Sequence, residues 1–315
     1  VYNKVGEFLV LECRYMTIVV AGGAGFIGRS LLDNLLSDGH TVVVIDRIAP
    51  KRTHPKLFFI HCDVTTQALP YNILEHTDAV INLVGEPIVG KWTEEKMTLI
   101  KESRIKSTAH IVESIASTKS RPGVFICASA IGIYGDTGEE TVDEQGVPGT
   151  DYLASVVTEW ELAARGAVEY GVRVVCIRTA PVLGQGGMLA MMQKTKPFGF
   201  LLSITKENPW FSWIHISDLV QVYRFALETT TLQGVVNASA PEPVRLGDFM
   251  RTLARAVRRP IMGTIPSWML RFLYGPMANE FTKNAAVVPR RLLDKGFVFK
   301  YPNLEDALLD STNKK

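Results

Sequence analysis

Thr17-Ile-Val-Val-Ala-Gly22-Gly-Ala-Gly25-Phe-Ile-Gly28 is the stretch that decides the fold. An apolar run enters glycines spaced G-x-x-G-x-x-G and leaves as the start of a helix. Strand, tight turn and helix N-terminus in one window make an anion site. The N–H groups of a first helical turn have no partner within the helix, and the helix dipole favours negative charge there. On this reading Gly22 permits the turn, and Gly25 lets the backbone approach a pyrophosphate with no Cβ between. Gly28 lets the helix lie close on the sheet.

The flanking sequence agrees. A helix over Phe26–Ser37 puts Ile27, Leu31, Leu32, Leu35 and Leu36 on one stripe and stops at Gly39. The strand Thr41–Ile45 is β-branched throughout, as a strand buried on both faces should be. It ends in Asp46, about twenty residues after the glycines, where a dinucleotide fold puts the acid that binds the ribose hydroxyls. The bland alternative is a glycine-rich turn with an ordinary surface Asp. It leaves the register of strand, glycines, helix, strand and acid unexplained.

Composition narrows the class. A chain of 315 residues can bury a large core, and 47% hydrophobic with 21% charged residues is ordinary for a soluble enzyme. The net charge of +2, without a basic run, argues against a nucleic-acid partner. No apolar stretch approaches the roughly eighteen residues that span a membrane. Cys13, Cys62, Cys127 and Cys176 show no C-x-x-C spacing. The last three fall in or beside expected buried strands and read as reduced core residues, which fits a cytoplasmic protein. The histidines form no ligand cluster, so no metal is expected. Val1–Tyr15 has no part in the first strand and reads as an N-terminal extension, with Met16 a natural start.

Strand and helix alternate through the first half, which predicts an α/β fold with a doubly wound parallel Rossmann sheet. Further strands are expected at Lys56–Ile60, Asp78–Val84, Val124–Cys127, Val172–Ile177 and Gly234–Ala238, with a short helical stretch near Ile73. Long helices are expected over Glu94–Thr118 and Tyr152–Tyr170. The alternation then breaks down. Residues 16–180, with 211–238 returning to them, are assigned to the dinucleotide-binding domain. Residues 181–210 and 239–315 are assigned to a smaller C-terminal substrate lobe.

Several blocks carry a resemblance: the glycine loop, Asp63, Asn82-Leu-Val-Gly85, Ala128-Ser129-Ala130-Ile-Gly-Ile-Tyr134-Gly135 and Trp213-Ile-His215-Ile-Ser-Asp218-Leu219. Together they resemble the extended short-chain dehydrogenase/reductase superfamily, the NAD-dependent epimerase/dehydratase group. A closer resemblance is to its atypical "epimerase family protein" subgroup, also labelled cell-division-inhibitor-like. It runs through Asn82-Leu-Val-Gly-Glu86-Pro87-Ile88, Ser103-Arg104-Ile105, Val182-Leu-Gly184, Trp210-Phe-Ser-Trp213-Ile-His215 and Val288-Pro-Arg-Arg-Leu292. The resemblance implies that Gly22, Gly25 and Gly28, with Phe26 and Ile27, cradle the pyrophosphate, and that Asp46 with Arg47 holds the adenosine ribose. It implies that Asp63 and Val64 flank the adenine and that Leu83, Val84 and Gly85 line the cofactor's ribose side. Arg178, Pro181 and Val182 would pass beside the nicotinamide, and Ser129 would sit at the substrate carbonyl. By the same analogy, related proteins dimerise through the two long helices, so a homodimer is the implied partner.

The chain departs from the superfamily pattern at the catalytic helix. Tyr-x-x-x-Lys places a lysine one turn from the tyrosine, where its charge favours the phenolate. Here Tyr152 is followed at i+4 by Val156, and no lysine occurs between Lys119 and Lys194. A tyrosine with a pKa of about 10 is a poor base at neutral pH. Tyr152 is therefore a catalytic candidate beside Ser129 or simply the start of a core helix. Glu86, Arg104 and Trp213 are the candidate substrate residues. The plainer alternatives are a surface pair for the first two and a seam between lobes for Trp213. His215 reads as structural, and Asp218 as the N-terminal charge of a helix.

Asp46 accepts ribose hydroxyls and repels a 2′-phosphate, which favours NAD, whereas Arg47 suits the alternative, NADP. The expected function is an NAD(P)-binding, epimerase/dehydratase-like oxidoreductase acting on a small hydroxyl or carbonyl compound. A nucleotide sugar is the superfamily's common substrate. Met188, Leu189, Met191 and Met192 point instead to a more apolar pocket. The alternative is a non-catalytic dinucleotide-binding redox sensor or scaffold, motivated by the missing lysine.

Overall fold

The computed structural model describes residues 15–70, 72–187, 189, 199–203 and 207–312. At its centre seven parallel strands form one sheet: β1 Thr17–Ala21, β2 Thr41–Asp46, β3 Leu57–His61, β4 Ala79–Asn82, β5 Val124–Ala130, β6 Arg173–Thr179 and β7 Gly234–Ala238. Their order is β7-β6-β5-β4-β1-β2-β3. The strands leave β1 in both directions, so the topological switch lies between β1 and β4. Open α/β sheets bind ligands in that crevice, outside the C-terminal strand ends.

Helices cover both faces. Helix α1 (Phe26–Ser37) and α4 (Ile216–Glu228) pack on one, burying Leu31, Leu35, Leu219 and Tyr223 against Ile18, Val20 and Ile126. Helices α2 (Glu94–Ser117) and α3 (Tyr152–Arg165) cover the other, with Ile111, Ile115, Trp160 and Ala164 against Val19, Phe125 and Cys127. Apolar residues on both faces of each central strand are what this two-sided burial requires. Thr93 caps α2 and Asp151 caps α3 by accepting a backbone N–H three residues on.

A second core joins Leu183, Leu201, Trp213, Phe249 and Leu253 to Ala307 and Leu308. Helices α5 (Leu246–Ala256) and α8 (Leu304–Thr312) meet there; α6 (Ser267–Tyr274) and α7 (Arg290–Asp294) lie between them in sequence. Leu189 is buried in this core, while Met188, Met191 and Met192 lie outside the described residues. So do residues 1–14, with Cys13. Cys62, Cys127 and Cys176 are buried free thiols. Among the described residues no helix is long and apolar enough to cross a membrane.

Some expected elements differ. Around Ile73 the described residues form turns rather than a helix, because Asn72 and His76 sit at φ of 63° and 62°. The second long helix stops at Arg165 and tightens into a 3₁₀ turn over Gly166–Tyr170. Strand β4 ends at Asn82, short of the expected Val84. The Asn82 side chain accepts the Val84 N–H at 3.0 Å, which turns the chain off the sheet.

Candidate functional site

The glycine loop lies at the C-terminal end of β1. Gly22 adopts φ +79°, and a Cβ there would stand 2.9 Å from the Leu83 carbonyl carbon and the Val84 nitrogen. A side chain at this position would push the loop off the end of β4. A Cβ on Gly28 would stand 2.5 Å from the Gly23 carbonyl oxygen. The glycine therefore lets α1 close on its own entry turn, a tighter contact than the expected one with the sheet. At Gly25 an added Cβ would meet only the Gly22 oxygen, at 3.3 Å. Gly25 caps α1 without a side-chain bond, and the first turn carries no acid. The positive helix end is thus left for an external anion, and these residues fit a dinucleotide pyrophosphate.

The Phe26 ring lies against a second glycine loop that the sequence reading left without a role: Cβ atoms at Gly184 and Gly186 would stand 3.1 and 2.6 Å from it. Ile27 packs partly buried against the main core. Asp46, at the end of β2, accepts the Ala24 N–H at 3.0 Å and the Ile48 N–H at 3.2 Å. Its carboxylate thus braces the glycine loop directly. Arg47 lies 3.8 Å from Asp63. Burial works against the Asp63 charge, but the Thr65 hydroxyl and amide, with Arg47, hold its carboxyl below the ordinary value. Val64 is buried, and its carbonyl bonds His110.

After β4, Asn82 is fully buried and donates to Thr108 Oγ1 at 2.9 Å. The amides of Leu83 and Val84 are bonded to Ala21 and Asn82, and the Glu86 N–H donates to Ser103 Oγ at 2.9 Å. The Glu86 carboxylate pairs with Lys96. Arg104 reaches from α2 to Gly85, where an added Cβ would stand 3.1 Å from its Cζ. Arg104 and Glu86 thus meet at the switch point. Trp213 does not join them. It is 1% exposed, a member of the second core with Leu183, Leu246 and Phe249.

Ser129, at the end of β5, donates to Glu161 at 2.7 Å and is 4% exposed. Arg178 grips the same carboxylate through Nε at 2.8 Å and Nη2 at 2.9 Å, and gives Nη1 to Tyr134 Oη at 2.8 Å. Tyr134 in turn donates to Asn237. Burial would weaken the Arg178 charge, but Glu161 outweighs it and keeps the guanidinium protonated. The Arg178 side chain therefore faces the protein interior, where the resemblance implied a place beside the nicotinamide. Pro181 and Val182 lead the chain into a short strand beside Ile214. Glu161 escaped the sequence reading, although its place among Val157, Trp160 and Ala164 on a buried stripe was a signal. A buried acid needs a cation, and Arg178 ends an apolar strand.

Tyr152 donates its hydroxyl to the Met97 carbonyl, and its ring stands edge-on to Trp92 at 5.4 Å. Burial raises its pKa above 10, with Arg104 opposing only in part. No side chain of α3 activates it: Val156 is buried. His215 caps α4 by accepting the Ser217 N–H, and Asp218 accepts the amides of Lys300 and Tyr301. Asp218 thus anchors the C-terminal segment as well as lying in the first turn of a helix.

Comparison with known proteins adds to this geometry. Residues 18–238 match the NAD dependent epimerase/dehydratase family, and residues 265–311 match a domain of unknown function, DUF1731. The chain is 38% identical to the chloroplastic epimerase family protein SDR39U1 homolog of Arabidopsis thaliana, over 93% of this chain and 86% of that protein. It is 34% identical to epimerase family protein YfhF of Bacillus subtilis, over 93% and 97%. The structure of human epimerase family protein SDR39U1 (isoform 2) with NADPH superposes with a TM-score of 0.82 at 28% identity, covering 94% of this chain and 99% of that one. A UDP-galactose 4-epimerase, at 18% identity and a TM-score of 0.73, shares the fold. Sheet order, glycine loop and matched segments agree, and the chain belongs to the NAD-dependent epimerase/dehydratase family.

Proposed function

We propose that this chain is an NAD(P)-dependent oxidoreductase that acts on a small hydroxyl or carbonyl compound at the switch point. The observation that carries the proposal is the uncapped, acid-free N-terminus of α1 behind the glycine loop, braced by Asp46. When bound, the nicotinamide supplies or accepts a hydride at C4. Gly22, Gly25 and Gly28 hold the pyrophosphate; Asp46 holds the adenosine ribose and tilts the preference toward NAD. Arg47 and the NADPH in the human relative support the NADP alternative.

Toward the substrate, the Ser129 hydroxyl donates its hydrogen bond to Glu161, so Ser129 presents lone pairs and accepts from a substrate hydroxyl. Tyr152 would have to leave the Met97 carbonyl to take part. Outward-facing Leu99 on α2 and Leu162 on α3 fit a homodimer built on these helices.

Fluorescence titration with NADH and NADPH tests the cofactor reading; tighter NADPH would overturn the Asp46 argument. A broad panel of carbonyl compounds, with oxidation of bound NADH as readout, tests the chemistry. Ser129→Ala should lower turnover with cofactor affinity unchanged, and full turnover would remove Ser129 from the mechanism.

A second reading, a dinucleotide-binding sensor or scaffold, is favoured by one specific observation. Ser129 and Tyr152 both have their protons committed inside the protein, and Val156 stands where the lysine would be. Turnover with any member of the panel counts against it.

A further inference from the structure

Residues 249–279 carry five arginines, Arg251, Arg255, Arg258, Arg259 and Arg271, and no acidic residue. In a chain whose net charge is only +2, this stretch concentrates one sign of charge. It also exposes large apolar side chains. Helix α6 turns Leu270 inward and Trp268, Arg271 and Phe272, at i, i+3 and i+4, outward. Among the described residues Trp268 is 70% and Phe272 72% exposed. Leu273 is open to solvent as well, and so is Met262 on the preceding short strand Ile261–Thr264. The loop after β4 extends the face. Lys91 Nζ stands 5.6 Å from the Phe272 ring, Trp92 donates its N–H to the Tyr274 carbonyl at 3.0 Å, and Ile88 and Val89 are exposed. Of the acids nearest in sequence, Glu86 pairs with Lys96 and Glu280 with Lys283. Glu94 and Glu95 sit in the first turn of α2, where the helix dipole favours them.

Two aromatic rings and a cation on one exposed helix face mark a surface that meets something apolar and anionic. Charge selects the occupant. Across a two-fold axis a second copy would set this face against itself, cation toward cation. A membrane surface with anionic headgroups takes the cations at its phosphates and the rings at the boundary with the acyl chains. Length agrees, since eight residues of helix, about 12 Å, lie on a bilayer without spanning it. We propose that α6, with Met262 and the loop carrying Lys91, is a peripheral docking face for an anionic lipid surface. Trp268 and Phe272 enter the headgroup layer, and Lys91 and Arg271 meet the lipid phosphates. The inference does not depend on the chemistry proposed for the cleft.

The test follows flotation and tryptophan fluorescence of the full chain with vesicles of phosphatidylcholine alone and of phosphatidylcholine with phosphatidylglycerol. Circular dichroism checks each variant. Wild type should float with the phosphatidylglycerol vesicles only, shift its emission to the blue and be released by high salt. W268F should keep the flotation and lose most of the shift, because Trp268 is the most exposed indole among the described residues. W268S/F272S and K91Q/R271Q should each lose at least tenfold in vesicle affinity. If W268S/F272S does not fold, K91Q/R271Q decides, since it changes only exposed charges. Three results would overturn the proposal: wild type that floats with neither vesicle, equal flotation with both, or folded variants all within threefold of wild type. Sedimentation velocity without lipid covers the other occupant. Self-association of wild type that W268S/F272S abolishes would assign the face to a second copy and overturn the lipid reading.

Discussion

Glu161→Ala is the most demanding test of how the strand ends are held. The variant removes the acceptor of three bonds, from Ser129 at 2.7 Å and from Arg178 at 2.8 and 2.9 Å. The paired side chains are 2% and 6% exposed, so solvent screening gives no discount. The change leaves a buried guanidinium with only the Tyr134 hydroxyl beside it. Breaking a buried pair from one side costs about 3–5 kcal/mol. At roughly 2–4 °C per kcal/mol for a chain of this size, Tm should fall by roughly 6–20 °C. The double variant Glu161→Leu/Arg178→Met replaces the pair by apolar volume and should recover most of the loss, because a buried pair is worth little against a packed hydrophobic substitute. Urea unfolding followed by circular dichroism and tryptophan fluorescence, on both single variants and the double, measures the coupling. A loss below about 1 kcal/mol in Glu161→Ala would refute the reasoning. The pair would then not be sealed from water, and Ser129 would not be held as described.

Three further outcomes are expected. Gly28→Ala should reduce NADH and NADPH affinity at least tenfold with the far-ultraviolet spectrum retained, because its Cβ would stand 2.5 Å from the Gly23 oxygen; normal binding would remove the cradle. Burial lowers the His215 pKa from 6.5, although Asp310 Oδ2, 3.3 Å from Nε2, pulls the other way. Its contribution is therefore complete above pH 6.5 and lost as pH falls toward the folded pKa, since the unfolded chain takes up the proton first. His215→Asn keeps a capping acceptor and should flatten the loss of stability between about pH 7 and 5 in urea titrations; an unchanged slope would assign it to other groups. Val156→Lys should destabilise the fold and add no turnover, since it buries an ammonium beside the core; gain of carbonyl reduction would show that only the lysine is missing.

What was legible in the sequence follows from how local the determinants are. Helix α1 was expected over Phe26–Ser37 and runs over those residues, because glycines at both ends and one apolar stripe fix it within a short window. Strand β7 was likewise placed at Gly234–Ala238. Asp46 was placed at the end of β2, but not its bond to the Ala24 amide, since that contact depends on how the glycine loop folds over. Glu161 and Arg178 are seventeen residues apart in sequence and meet only once α3 lies on the sheet. The end of β4 was misplaced because Asn82, a polar residue closing an apolar run, satisfies the next turn with its own side chain. Trp213 carries no local signal that separates a cleft wall from a core.

The missing lysine has a different meaning in three dimensions from the one it has in sequence. If α3 had kept the geometry of a catalytic helix and lost one residue, Tyr152 would still face the cleft with position 156 open beside it. Instead Tyr152 bonds the Met97 carbonyl and packs against Trp92, and Val156 is buried. Its neighbours Trp160 and Glu161 face inward too, toward Thr108 and Arg178. The inward face of the helix is committed to packing and to one buried ion pair, so no single substitution on it restores the usual base. Charge reaches this end of the sheet from another direction: Arg104, on α2, brings a guanidinium to Gly85, just after β4. On this architecture α2 brings a cation to the end of β4, while the Ser129 hydroxyl stays hydrogen-bonded to Glu161 inside the protein.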